Sequence, residues 1–177
     1  MHTVQPKRLL DLTLGSALLI LTAPLLAAAA CAAALHRPPG GAFARELKSG
    51  LHGCPFTVRS LRTRRLRLDL LSRLPHVVRG EMSLVGPAAL APGDPRADAP
   101  WRQSVRPGLT GPAQLARARR STLPWDEPEL LDLHYVEHHW IGLDLAVLLH
   151  TVPAVCRRHR PDDRRPGDPV QPVLRVT

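Results

Sequence analysis

Residues 9–35 are almost continuously apolar, interrupted only by Asp11, Thr13, Gly15, Ser16 and Thr22. A helix of that length reaches roughly 40 Å, against ~30 Å for the hydrocarbon core of a bilayer, so the stretch is long enough to cross a membrane with tilt. Pro24 lies near its middle. It has no N–H to donate and its ring crowds the preceding turn, which predicts a helix kinked or broken there into two arms. Lys7 and Arg8 precede the stretch, and Arg37, Arg45 and Lys48 follow it. Positive charge on both flanks gives no orientation across the membrane, but it suits a re-entrant hairpin with both ends in the cytoplasm. The competing reading is a cleaved signal peptide, with a basic start, an apolar run and an alanine-rich exit. The run exceeds the ~7–15 residues of a signal core and contains Asp11, so a retained anchor is favoured.

After a mixed, glycine-rich stretch over residues 40–53, PFTVRSLRT reads as a short strand running into a basic helix. Arg59, Arg62, Arg64, Arg65 and Arg67 crowd together there, while Leu66, Leu68, Leu70, Leu71 and Leu74 show no clean period. Such a cluster suits either a lipid-facing surface or a substrate phosphate. GEMSLVGP (residues 80–87) and RPGLTGPAQ (residues 106–114) read as glycine and proline loops whose backbone amides can approach an anion. Residues 125–150 carry the strongest soluble helical pattern, with Asp126 as a cap and Pro128 near its first turn. Val136, Trp140, Leu143 and Val147 recur at helical spacing and are expected to face the core. The fold class is therefore mainly α with a few short strands: a broken re-entrant membrane helix over residues 1–36, one compact domain over residues 37–156, and a Pro/Arg-rich flexible tail over residues 157–177.

Charge narrows the partners. Lys and Arg outnumber Asp and Glu by 24 to 15, so the surface attracts phosphates, whether in lipid headgroups, nucleotides or nucleic acid. Aromatic residues make up 3% of the chain, too few for the stacking platforms of single-stranded nucleic-acid binders, so nucleic acid is not expected. Cys31, Cys54 and Cys156 are odd in number and widely spaced, which argues against a disulfide framework or a thiolate zinc site. His134 and His138 have a spacing that can share a metal, but no third ligand is fixed, and a solvated face is favoured.

Taken in order, several blocks resemble one family. KRLLDL and Pro24 are similar to its basic-then-aspartate opening and helix-breaking proline. Gly50, Gly53, Phe56, Arg62 and Thr63 fall on its G-x-x-G-x-x-F and F-R-T elements. GEMSLVGP resembles G-D-M-S-L-V-G-P, RPGLTGPAQ resembles P-G-(I/L)-T-G-x-x-Q, and LDLHYVEHHWIGLDLAVLLHT resembles the closing L-D-x-x-Y helix. On these blocks the chain is identified as a member of the bacterial sugar transferases, the monotopic polyprenyl-phosphate phosphoglycosyltransferases. The resemblance implies transfer of a phospho-sugar from a UDP-sugar to polyprenyl (undecaprenyl) phosphate, through an aspartyl intermediate with Mg²⁺, on the cytoplasmic side of the bacterial cytoplasmic membrane. Its implied partners are the UDP-sugar, the polyprenyl phosphate and membrane lipids, and its product begins an exopolysaccharide or related glycan.

Counting back from GEMSLVGP without gaps puts Asp69 on the nucleophile of the family's L-D-E-L-P-Q. Leu70, Leu71, Ser72 and Arg73 follow it, so the family's glutamate, proline and glutamine are absent. A gapped register would leave Ser72 and Arg73 on the acidic pair. The ungapped register makes Asp69 the catalytic residue and the Mg²⁺ ligand. Arg62, Arg102 and Arg106 are the expected phosphate contacts, with Glu81, Asp132 and Asp144 as supporting acids. Ala88 and Ala89 stand where the family has R-P. With the missing glutamate, this keeps open an inactive or weakly active relative that binds lipid phosphate or glycan-assembly partners.

Overall fold

The computed structural model describes residues 6–35, 41–63, 68–119 and 128–156. In chain order its elements are α1 (Pro6–Leu35), β1 (Phe43–Ser49), a 3-10 turn (Leu51–Gly53), β2 (Pro55–Leu61), α2 (Leu68–Leu71), α3 (Leu74–Arg79), β3 (Ser83–Val85), α4 (Pro100–Gln103), β4 (Gly108–Thr110), α5 (Pro112–Arg119), α6 (Pro128–His138) and α7 (Ile141–Cys156). The fold is mostly helical with a few short strands. Arg64, Arg65 and Arg67 of the basic cluster, the Asp126 cap and the tail over residues 157–177 lie outside the described residues.

The break expected at Pro24 is corrected: α1 is one continuous helix with Pro24 inside it. Proline there forfeits one hydrogen bond to the carbonyl four residues earlier, and the surrounding leucines and alanines are strong helix formers. α1 meets two environments. Leu10, Leu14, Leu18 and Leu19 pack on the domain core at helical spacing. Beyond them Ile20, Leu21 and Leu35 are 75%, 76% and 83% exposed. The first half is thus a helix of the domain, and the second half is an uncovered apolar rod whose composition suits a membrane.

β1 and β2 form an antiparallel hairpin that runs from Phe43 opposite Leu61 to Ser49 opposite Pro55. The two stretches read as loops pair with one another, β3 parallel to β4, with Ser83 opposite Gly108 and Val85 opposite Thr110. Their glycines are required by backbone contact. A Cβ on Gly86 would lie 2.7 Å from the Arg106 carbonyl oxygen, and one on Gly108 would run into the Gly86 nitrogen. Around this pair the core gathers Val58, Leu74, Val77, Met82, Leu84, Leu115 and Val147.

The single helix expected over residues 125–150 is two helices, α6 and α7, with a turn at His139 and Trp140. Val147 is buried, and Val136 and Leu143 pack on the core, but Trp140 is 68% exposed rather than inward-facing. Its ring folds over Gly142, where any Cβ would collide with it. The turn also brings Tyr135 and Asp144 into contact. On a straight helix nine residues would separate them by roughly 13 Å.

Candidate active site

Asp69 sits in the single turn of α2. Its N–H donates to the Thr63 carbonyl at 3.2 Å, which ties the turn to the end of the hairpin. The Asp69 Oδ1 atom is buried and has no hydrogen-bond partner among the described residues. Ser72, which a gapped register would put on the acidic pair with no nucleophile left, is committed elsewhere: its Oγ accepts from the Leu61 N–H and donates to the Asp69 carbonyl, both at 2.9 Å. The serine therefore stitches α2 to β2, while the aspartate keeps a free oxygen. Arg62, just beyond β2, has an exposed side chain and a backbone N–H bonded to the Ala42 carbonyl at 3.0 Å.

Arg102 and Asp132 meet at a different place. They form an ion pair at 3.2 Å. Arg102 also donates to the Ala88 carbonyl at 3.1 Å, and the Ala88 N–H donates to Asp132 at 3.3 Å. The backbone of Ala88 is thus held on both sides, at its N–H and at its carbonyl. The Arg102 guanidinium also stacks 4.6 Å from the Trp101 ring centre. Burial pushes the Asp132 carboxyl above its ordinary pKa, with Arg102 and the Ala88 N–H opposing. Its Oδ1 and the Arg102 Nε have no partner among the described residues.

A third cluster joins the start of α1 to the domain. Lys7 Nζ donates to the Val85 carbonyl at 3.0 Å, the Tyr135 hydroxyl at 2.6 Å and Asp144 Oδ2 at 2.8 Å. An ammonium has three protons, and all three are used. The Tyr135 hydroxyl in turn donates a hydrogen bond to Asp144. Burial, reinforced by Asp144 and Asp11, pushes the phenol far above its ordinary pKa, so it stays a donor. One turn along α1, Asp11 accepts from Ser83 Oγ at 2.8 Å and from the Leu84 N–H at 2.9 Å. Arg8 donates to the Val77 and Val78 carbonyls at 2.7 and 2.8 Å, satisfying the C-terminal end of α3.

Arg106 reaches the same end of α3, its Nε donating to the Gly80 carbonyl at 2.8 Å. Lys7, Arg8, Asp11, His52, Arg106 and His139 line a cavity of about 560 Å³ between α1, the 3-10 turn and the end of α6. Glu81 accepts from His76 Nδ1. His76 Nε2 accepts the Arg59 N–H at 3.0 Å, so the proton of the neutral ring lies on Nδ1. The expected site residues thus fall into separate groups. Asp69 stands beside the hairpin near Arg62, Arg102 pairs with Asp132, Asp144 holds Lys7, Arg106 faces the cavity, and Glu81 orients His76.

Among the described residues no three His, Cys, Asp or Glu side chains converge as a metal cluster, and His134 and His138 merely stack in the open with ring centres 4.5 Å apart. Asp69 fits Mg²⁺ in the sparse manner usual for that ion, one carboxylate completed by substrate phosphate oxygens and water. Sequence reading did not assign roles to Lys7, Tyr135 and His76. The KRLLDL block held a signal for Lys7, but its partners lie 78 to 137 residues away.

A family model described as bacterial sugar transferase matches residues 62–158. The UDP-glucose:undecaprenyl-phosphate glucose-1-phosphate transferase of Caulobacter vibrioides is 34% identical over 190 residues, covering 84% of this chain and 69% of that protein. The uncharacterized sugar transferase EpsL of Bacillus subtilis is 32% identical over 84% of this chain and 86% of its own length. The exopolysaccharide production protein ExoY of Sinorhizobium fredii is 35% identical over 52% of this chain and 42% of its own. With a family model over more than half of its residues and two of these relatives aligned over most of theirs, the chain belongs to the bacterial sugar transferase family, a family of sugar-phosphate transferases.

Proposed function

We propose that this chain transfers a phospho-sugar from a UDP-sugar to polyprenyl phosphate at the cytoplasmic face of the bacterial membrane, with Asp69 as nucleophile. The observation that carries the reading is the buried, partnerless Oδ1 of Asp69 at the family's nucleophile position. An ionised carboxylate is itself a nucleophile and needs no base to activate it. One of its oxygens attacks the β-phosphorus, and the bond from that phosphorus to the bridging oxygen breaks, its electron pair leaving with UMP. A polyprenyl phosphate oxygen then attacks the same phosphorus and the Asp69 carboxylate departs. Asp69 would hold Mg²⁺, which would supply charge neutralisation to the diphosphate. Arg62 and Arg106 are the proposed phosphate contacts, while Arg102, Asp132 and Asp144 act by holding the Ala88 peptide and the start of α1.

Two features support attachment to one leaflet. The uncovered part of α1, residues 20–35, extends roughly 24 Å, short of the ~30 Å hydrocarbon core. On α7, Ile141, Leu145, Leu149 and Val152 form an exposed apolar stripe, the pattern of a helix lying in the headgroup plane.

UMP release from UDP-glucose and UDP-galactose, with membranes and polyprenyl phosphate, tests the reaction. Wild type releases UMP and Asp69→Asn does not; equal release by both rejects the nucleophile. A second reading, a relative that binds lipid phosphate with little turnover, is favoured by Leu70, an isobutyl group where the family's second carboxylate falls. Under it, wild-type release stays near background and Leu70→Glu raises it roughly 10²-fold or more, provided Asp69 is intact.

A further inference from the structure

Arg73 lies four residues beyond Asp69, at the last position of the motif in which the family carries glutamine. The chain keeps winding between the two: the Ser72 N–H bonds the Leu68 carbonyl at 2.9 Å and the Arg73 N–H bonds the Leu70 carbonyl at 3.0 Å. Arg73 then starts α3 with helical backbone angles, and its carbonyl accepts the His76 N–H at 2.9 Å. Its backbone is held on both sides. The Arg73 Nε is nevertheless buried without a hydrogen-bond partner, as is Asp69 Oδ1 about one turn before it.

The buried Arg73 Nε, a donor without a partner among the described residues, carries a desolvation cost that an anionic ligand would offset, and Asp69 lies about one turn before it. No ion pair among the described residues includes Arg73. Glu46 on β1 feels its charge but is paired with Lys48 at 3.1 Å.

Resting on the transferase reading above, we infer that the Arg73 guanidinium binds the diphosphate of the nucleotide-sugar beside Asp69, adding a positive charge to any that a divalent cation brings. The charge balance supports this. A motif with two adjacent carboxylates carries two negative charges to a diphosphate and requires a dication to offset them. Here Asp69 contributes one negative charge, Leu70 none and Arg73 one positive, so the segment is neutral before any metal joins. A planar guanidinium also matches phosphate oxygens with two parallel donors, which a glutamine amide cannot do.

The test is UDP binding by titration calorimetry to the full-length protein in detergent, once with EDTA and once with Mg²⁺. Wild type binds UDP in EDTA, Arg73→Gln weakens that binding roughly 10- to 100-fold, and Arg73→Lys, which keeps the charge without the fork, falls between them. Thermal unfolding of Arg73→Lys close to wild type separates a binding loss from misfolding. Equal binding by wild type and Arg73→Gln, or binding by wild type only with Mg²⁺, overturns the role of Arg73 and leaves the transferase reading standing. Failure of wild type to bind UDP under either condition overturns both.

Discussion

Replacing Lys7 with methionine should destabilise the protein severely, because the ammonium is the counter-charge of a carboxylate with almost no access to water. Methionine keeps the length and most of the packing of the lysine stem, so the change isolates the charge and its three hydrogen bonds to Val85, Tyr135 and Asp144. Asp144 is 1% exposed and would be left as a buried charge with the Tyr135 proton as its remaining side-chain donor. Removing one partner of a buried pair costs ~3–5 kcal/mol. The Lys7 side chain retains 21% exposure, so solvent screens part of the interaction and the low end, about 3 kcal/mol, applies. In a chain of this size each kcal/mol lowers Tm by ~2–4 °C, which gives a fall of roughly 6–12 °C. The assay is thermal unfolding of the full-length protein in detergent, followed by circular dichroism. Adding Asp144→Asn to Lys7→Met should recover part of the loss, with a coupling of ~0.5–3 kcal/mol. A Tm for Lys7→Met within about 1 °C of wild type, or strictly additive losses, would refute the reasoning.

Other substitutions probe the remaining clusters. Because the Asp132 pKa is raised in the folded state, its protonation favours folding below the ordinary carboxylate range, and that contribution is lost as pH rises through the raised value. The Tm advantage of wild type over Asp132→Asn should therefore shrink from about pH 4 to pH 7, and an advantage that grows with pH would reverse the assigned direction. Gly108→Ala places a methyl against the Gly86 backbone, which cannot swing aside as a side chain can, so about 3 kcal/mol should be lost in chemical denaturation. With Cys31 and Cys156 replaced, native Cys54 and a cysteine introduced by Pro6→Cys should both resist a membrane-impermeant thiol reagent applied to intact cells. Labelling of one and not the other would mean that α1 crosses the membrane.

What could be read from the sequence followed how local each determinant is. The apolar run that became α1 and the helical pattern behind α6 and α7 were legible because helix periodicity is contained in neighbouring residues. The break between α6 and α7 was not, since it depends on Trp140 folding over Gly142 and on Tyr135 meeting Asp144. β3 and β4 were read as loops because three-residue strands carry too few positions for an alternation to register, and their pairing partner is some 25 residues away. Glycine marked them correctly as places of close backbone approach, although the approach is strand to strand. The candidate site shows the same limit. Asp69 was proposed from motif spacing, whereas the clamp of Arg102 and Asp132 on Ala88 required the fold, because nothing local joins residues 14, 30 and 44 positions apart.

The measurement that bears most directly on the central claim is mass spectrometry of the full-length protein after brief exposure to a UDP-sugar without polyprenyl phosphate, followed by proteolysis. A phospho-sugar adduct on the peptide containing Asp69, absent from Asp69→Asn and discharged when polyprenyl phosphate is added, is the expected result. An adduct on Ser72 or elsewhere, or UMP release that continues unchanged in Asp69→Asn, would contradict it.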